Sequence, residues 1–321
     1  MARPGPRPDG SRTWRGATTP RRQSRRRAVW CKVYTMMRRN FLATSAGGGL
    51  VAPALAAPSR NSILVLQYLR MRNGSDDQIK RTTDFLSQSV LPAYKRAGIG
   101  PVGYFTNIIA PKSPFILSVI PHRSLAAMEE DQQKLAADQD FLKDAAAFDA
   151  LPGLNYVRAE SSLLYGFDTM PGIEVPPTDP QRPPRIFELR TYESNNNTTL
   201  RTKIEMFNRA EIAIFRKCGL LPVFFGQTIV GPDMPNLTYM VGFDDLAGRE
   251  KSWKTFVEST EWKKLRAIPE YADAKIVSNI SNSILRPLPF SAIRMSLCPR
   301  FPWNCRRPFA PLGKPCSSVS W

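Results

Sequence analysis

The sequence has 321 residues, with 45 Lys and Arg against 27 Asp and Glu for a formal charge of +18, one histidine and five cysteines. Such a length accommodates two domains of ordinary size, and so positive a charge first suggests nucleic acid or an anionic membrane as partner. Position excludes the nucleic-acid reading: residues 1–40 carry +11 and residues 286–321 carry +6, which leaves +1 for residues 41–285 and no basic footprint.

Residues 1–35 are Arg, Pro, Ser and Gly without apolar periodicity, the composition of disordered sequence. They read as an upstream extension foreign to the fold. Residues 36–57 have a different grammar. Arg38 and Arg39 precede Phe41 and Leu42, a mildly apolar Gly/Ala stretch follows, and Ala54 and Ala56 form a small-residue cleavage site. The segment resembles a twin-arginine signal peptide, which implies a start at Met36 or Met37 and export to the periplasm or beyond. An Arg- and Ser-rich mitochondrial transit peptide is the alternative. No stretch after residue 56 approaches about 20 consecutive apolar residues, so no membrane span is expected there. Only Cys218 lies between the basic ends, which leaves no internal disulfide, and no Cys/His cluster has the spacing of a metal site.

The middle of the chain is one unit written twice. "YKRAGIGPVGYF" (94–105) and "FRKCGLLPVFFG" (215–226) align without a gap, and an offset of 121 also pairs Leu125 with Leu246 and Phe141 with Trp262. Each copy opens with a β-rich run, 62–72 and 185–193. A helix follows, carrying Ile79, Phe85, Leu86 and Tyr94 in one copy and Ile204, Phe207, Ile214 and Phe215 in the other. Gly98 and Gly219 stand where C-cap glycines belong, each with a proline soon after. Two strands joined by the turns "PKSP" and "PDMPN" come next, then a second helix at 123–147 and 245–266 with Asp244 as N-cap of the latter, then a closing strand.

The order β-α-β-β-α-β is that of a ferredoxin-like plait. The first repeat spans 61–166, a connector with six prolines runs from 167 to 184, the second repeat spans 185–290, and a patternless tail fills 291–321. A plait covers one sheet face with its helices and leaves the other bare, so two tandem plaits are expected to bury their bare faces together. The fold class is therefore α+β, two tandem ferredoxin-like repeats forming a pseudo-dimeric α+β barrel.

The runs "FELRTYE" (187–193), "GLLPVFFG" (219–226), "YMVGFDDLAGREKSW" (239–253) and "STEWKKL" (259–265) resemble a NIPSNAP domain. The first copy carries a more worn version in "QYLRMRNG" (67–74) and "GIGPVGYF" (98–105). The resemblance implies the dimeric α+β barrel group, which includes small monooxygenases, haem-dependent enzymes and stress-response proteins. It supplies no catalytic residue set.

Alternation on 185–193 puts Phe187, Leu189 and Thr191 on one face and Glu188, Arg190 and Tyr192 on the other. With the first set beneath the helices, Glu188, Arg190 and Tyr192 face the barrel interior as a polar ligand site, joined by Gln227 and Tyr239. The first copy offers Gln67, Leu69 and Met71 in their place. His122, at a strand end with Phe243 as its counterpart, is a candidate base or haem ligand, although a partly exposed residue is ordinary there. Trp253, Trp262 and Cys218 read as core. Asp76-Asp77, Glu129-Glu130-Asp131 and Asp244-Asp245 read as acids opening helices. No nucleotide-binding or hydrolytic motif occurs between the ends.

Two functions remain open. One is an exported ligand-binding or stress-associated module that needs no cofactor, binds a small molecule and forms homo-oligomers. The other is a monooxygenase-like or haem-dependent enzyme acting on a small apolar substrate inside the barrel. A roomy apolar interior lined with Arg190 and Tyr192 favours an enzyme or a ligand binder, and a barrel filled solid by side chains favours a structural module.

Overall fold

A computed structural model of the protein describes residues 61–74, 77–176 and 184–294. The leader expected at 36–57 lies outside them, as do residues 1–35, Asp76 and most of the tail.

In the first repeat, β1 (Ile63–Arg70) is buried almost end to end, because one of its faces meets helices and the other meets the second repeat. A helical run follows as α1 (Gln78–Phe85), a π-helical turn at Leu86–Val90, and α2 (Leu91–Ala97). Gly98 ends it at φ +78°, a left-handed conformation that only glycine takes without strain. The hairpin of β2 (Gly103–Ile109) and β3 (Phe115–His122) leads into α3 (Leu125–Ala137), α4 (Gln139–Asp149) and β4 (Arg158–Gly166).

The second repeat repeats the list. It comprises β5 (Ile186–Glu193), α5 (Asn197–Met206), a π-helical turn at Phe207–Glu211, α6 (Ile212–Lys217), β6 (Leu221–Val230) and β7 (Asn236–Phe243). Then come α7 (Leu246–Glu258), α8 (Thr260–Arg266), a short 3-10 turn at Pro269–Tyr271, α9 (Asp273–Ile276) and β8 (Asn279–Pro287).

Three sequence expectations change at the helices. The stretches read as one helix each, 123–147 and 245–266, are broken in two. Asp138 and Ser259 accept hydrogen bonds from the N–H groups of Phe141 and Trp262 and so start α4 and α8 afresh. The N-cap of α7 is Asp245, which accepts from the Gly248 N–H, while Asp244 pairs with Arg185 at 3.0 Å. Glu129, Glu130 and Asp131 lie inside α3, and Asp77 precedes α1 without a side-chain cap.

Strand order is β4-β1-β3-β2 in one repeat and β8-β5-β7-β6 in the other. The antiparallel seams β2–β8 and β4–β6 close them into an eight-stranded barrel. Every neighbouring pair is antiparallel, so strands four places apart run the same way and the pseudo-twofold lies along the barrel axis. Leu66, Phe105, Leu117, Leu164, Phe187, Leu189, Phe224, Met240 and Leu285, drawn from both repeats, form one buried cluster. The bare faces do meet each other.

The repeat offset is 121 from the π-helical turn onward but 123 in the opening strand: Ile63 faces His122 as Ile186 faces Phe243. The first-repeat counterparts of Glu188, Arg190 and Tyr192 are therefore Val65, Gln67 and Leu69. The connector between β1 and the first helix is two residues longer in the first copy.

The repeat boundaries also move. After β4, the Phe167 N–H donates to the Phe225 carbonyl and the Glu174 N–H to that of Val223. After β8, Leu288 donates to Tyr104, the same pair one repeat on, and Ala292 donates to Val102, the equivalent of Val223. These segments carry Ile173 and the fully buried Ile293 against the interior cluster. A Cβ on Gly103 would come within 2.7 Å of Ile293, so a bare backbone at that position makes room for the plug. Residues 167–174 belong to the first repeat, and the second continues past 290. Replacing Ile293 by Ala is expected to cost about 2–4 kcal/mol of unfolding free energy, measured by urea titration; an unchanged midpoint refutes the plug.

Candidate functional site

The two faces of β5 are the reverse of the expected ones. Phe187 and Leu189 point into the barrel, while Glu188, Arg190 and Tyr192 point out, beneath the helices of the second repeat. The apolar interior shared by two sheets selects Phe187 and Leu189. The helix layer brings its own cation, Arg249 of α7, which needs a carboxylate below it.

Glu188 is fully buried and saturated. Arg249 donates to both its oxygens, Nε to Oε2 and Nη2 to Oε1, at 2.8 Å each. The Trp253 indole N–H donates to Oε2 at 2.8 Å, and Asn282 of β8 to Oε1 at 3.0 Å. Burial pushes the Glu188 carboxyl up, but the hydrogen bonds from Arg249 and Asn282, the Arg190 charge and the indole outweigh it, and the net shift is downward. Arg190 is left with the remainder: Nη1 sits 3.3 Å from Oε1, and Nε is buried without a hydrogen-bond partner. Its guanidinium lies 4.6 Å from the centroid of the Trp253 ring and 5.5 Å from that of Tyr192.

Deeper in, the Tyr239 hydroxyl donates to that of Tyr192 at 3.1 Å, and burial raises both phenols. Beside them lies an ion pair, Lys203 Nζ to Glu211 Oε2 at 3.0 Å, with side-chain exposures of 1% and 2%. The Lys203 ammonium sits within 5.7 Å of the Tyr192, Phe207 and Trp262 rings. Burial dominates at Glu211 and raises its carboxyl despite the lysine.

Of the predicted residues, the structure gathers Glu188, Arg190, Tyr192 and Tyr239. Gln227, partly exposed on the same side of β6 as Phe225, shares no hydrogen bond with them. Lys203, Glu211, Arg249, Trp253 and Asn282 complete the group. The sequence held one signal for two of them: Lys203 and Glu211, two helical turns apart, stand among Ile204, Phe207 and Ile214 on an apolar face.

His122 is buried, not partly exposed, and turns toward α3, where Nδ1 lies 2.8 Å from Asp131 Oδ2; Lys134 holds the other oxygen at 3.1 Å. With its ring on the helix side of the sheet and outside the barrel interior, His122 does not fit a haem held there. Its counterpart is Phe243 and that of Asp131 is Ser252. In the second repeat these two border a cleft of about 220 Å³ with Arg185, Gly219, Leu221, Asp244 and Gly248. Trp262 and Cys218 are core as expected. Among the described residues no three His, Cys, Asp or Glu side chains are grouped to hold a metal, and no helix is long and apolar enough to cross a membrane.

The first repeat builds the same plait without this chemistry. In place of Glu188, Arg190, Tyr192, Lys203, Glu211, Tyr239 and Arg249 stand Val65, Gln67, Leu69, Thr82, Val90, Ser118 and Met128. No acid or base is left among the seven.

Residues 187–292 match the NIPSNAP family model. Comparison with curated proteins gives no match. Among solved structures, a NIPSNAP-like domain protein from Burkholderia xenovorans is 25% identical, covering 33% of this chain and 88% of that one at a TM-score of 0.30. A NIPSNAP family protein from Agrobacterium tumefaciens is 18% identical, covering 36% and 96% at 0.30. A chlorite dismutase mutant from Candidatus Nitrospira defluvii is 8% identical, covering 74% and 95% at 0.41.

Glu188→Val alone is expected to destabilise the fold by about 2–4 kcal/mol, since it leaves two guanidiniums uncompensated under α7. The triple change Glu188→Val, Arg190→Gln, Arg249→Met, which copies the first repeat, should be more stable than the single one in urea titration. Because the folded-state pKa of Glu188 is depressed, its contribution is complete above the unfolded value of about 4.3 and is lost as pH falls through the folded one. The stability gap between the wild type and Glu188→Gln should therefore narrow below about pH 4; a gap constant with pH contradicts the assignment.

Proposed function

We propose that this chain, whose second repeat is a NIPSNAP domain, is an exported binding module that holds a small carboxylate or similar anion at Arg190. One observation carries the reading: Glu188 is saturated by Arg249, Trp253 and Asn282, so Arg190 makes only a 3.3 Å contact to it and keeps its Nε–H without a hydrogen-bond partner. Two guanidiniums against one carboxylate leave the outer part of the cluster at +1, since Lys203 and Glu211 cancel. The Arg190 side chain retains 17% exposure, and its in-register neighbour Asn282 is exposed, so the anion has a route from solvent along β8. A planar guanidinium stacked on an indole is suited to bidentate capture of a carboxylate.

The first repeat supports a functional origin for the cluster. Buried ion pairs are poor sources of stability, and the equivalent positions of the first repeat carry no charge. The binding reading is preferred to oxidation of an apolar substrate inside the barrel, because Arg190 and Tyr192 face away from the interior cluster of Phe105, Phe187, Phe224 and Met240.

Export rests on Arg38, Arg39, Phe41 and Leu42 followed by Ala54 and Ala56. N-terminal sequencing of the mature protein should give a start near Ala57, and retention of residues 1–35 sinks this part of the reading.

Binding is tested by thermal shift against acetate, succinate and benzoate, with native mass spectrometry for co-purified ligand. The expected result is a saturable rise in Tm that disappears in Arg190→Gln, the residue of the first repeat. A wild type indifferent to all three acids, or a shift retained in Arg190→Gln, refutes the site.

A further inference from the structure

Each barrel seam covers only half of its longer strand. β8 pairs with β5 from Asn279 to Leu285, but with β2 only from Ile284 to Pro287. β4 pairs with β1 from Arg158 to Tyr165, but with β6 only from Leu163 to Gly166. Among the described residues, Asn279–Ser283 and Arg158–Ser162 thus have a strand on one side and a free edge on the other. A free edge is a template for another chain, and proteins guard such edges with charge.

The two edges are equivalent by the repeat, which makes them a controlled comparison. At the centre of the β4 edge stands Glu160, held by Arg70 at 2.8 Å and by Arg158 at 2.7 Å. Two such edges brought together antiparallel about their centres would set Glu160 against Glu160. At the centre of the β8 edge the same position is Ser281, within "NISNS", which has no charge and no proline. Ile280 is 45% exposed there, and Ile109, which pairs with Ile284 just beyond the free run, is 65% exposed. The counterpart of Ile280 on the guarded edge is Ala159.

We propose that the unguarded edge of β8 pairs with the same edge of a second copy of this chain, antiparallel about Ser281. The pairing is two-fold symmetric and therefore closed. It sets Ile280 opposite Asn282 and Asn279 opposite Ser283, so no like charges meet and every side chain across the new ladder is neutral. The self-pairing that Glu160 forbids on β4 is open on β8, which is why a second copy is the occupant. It rests on the strand edge and not on anion binding at Arg190, although the paired edge borders the route past Asn282.

The test is sedimentation velocity of the full chain over a concentration series, with hydrogen exchange at residues 279–283. Wild type should form a dimer whose β8 amides gain protection as concentration rises. Ser281→Glu, which transplants the guard, should weaken the dimer by about fivefold or more. Ile280→Lys should weaken it similarly and serves if the first variant folds poorly, while Ala159→Lys on the β4 edge should leave it intact. A monomer at every concentration, a dimer that survives both β8 substitutions, or β8 amides protected only when a different extended peptide is added would each overturn the proposal.

Discussion

Everything in this molecule follows from the need of two half-covered sheets to bury their bare faces. Each plait has helices on one side only, and an apolar sheet face left in water is not stable. Closing the two sheets through β2–β8 and β4–β6 removes both faces at once and fills the space between with Phe105, Phe187, Phe224, Met240 and their neighbours. An interior so composed has no place for an ion. Any buried charge must lie in the other layer, between sheet and helices, and the second repeat puts all of its buried charge there.

The consequence is a division of labour that the pseudo-twofold makes visible. Strand registers, π-helical turns, left-handed glycines and plugging isoleucines recur in both halves. These are the requirements of the backbone. The cluster around Glu188 recurs in neither composition nor charge, so it is not among them. A barrel made from two identical chains would have to carry the same chemistry twice. Fusing the copies frees one half to do without the Glu188 cluster while the other carries it, at the cost of burying Lys203 and Glu211 nearly completely.

Much of this is legible in the sequence. The glycines at 98 and 219, the proline that follows each and the alignment of 94–105 with 215–226 fix the repeat, and the repeat with its strand count leads to the barrel. Two matters are not legible, for physical reasons. Alternation gives the two faces of β5 but not which is inside, since Phe187 and Leu189 suit either apolar layer and only the aromatic helices and Arg249 decide. The constant offset hides the two-residue difference after β1, because a slip of two preserves which face each side chain takes. The burial of His122 escapes local pattern for a related reason: a strand end before a helix is often exposed, but here α3 supplies Asp131 to cover it.

Among the partners of Glu188, Arg249 and Trp253 come from α7 and Asn282 from β8, more than 60 residues along the chain. No local pattern announces such a group, because Arg249 and Asn282 alone are ordinary surface polar residues of their elements and Trp253 alone is an ordinary core aromatic. Only the packing of α7 on the sheet makes Arg249 and Trp253 neighbours of a strand carboxylate. Lys203 and Glu211 differ: a charge on the apolar face of a helix conflicts with its own periodicity, and that conflict is readable in the amino-acid order alone. A chain that places ions where its pattern calls for Val and Thr, as the first repeat does at Val90 and Thr82, departs from the requirements of folding at the positions where chemistry can be sought.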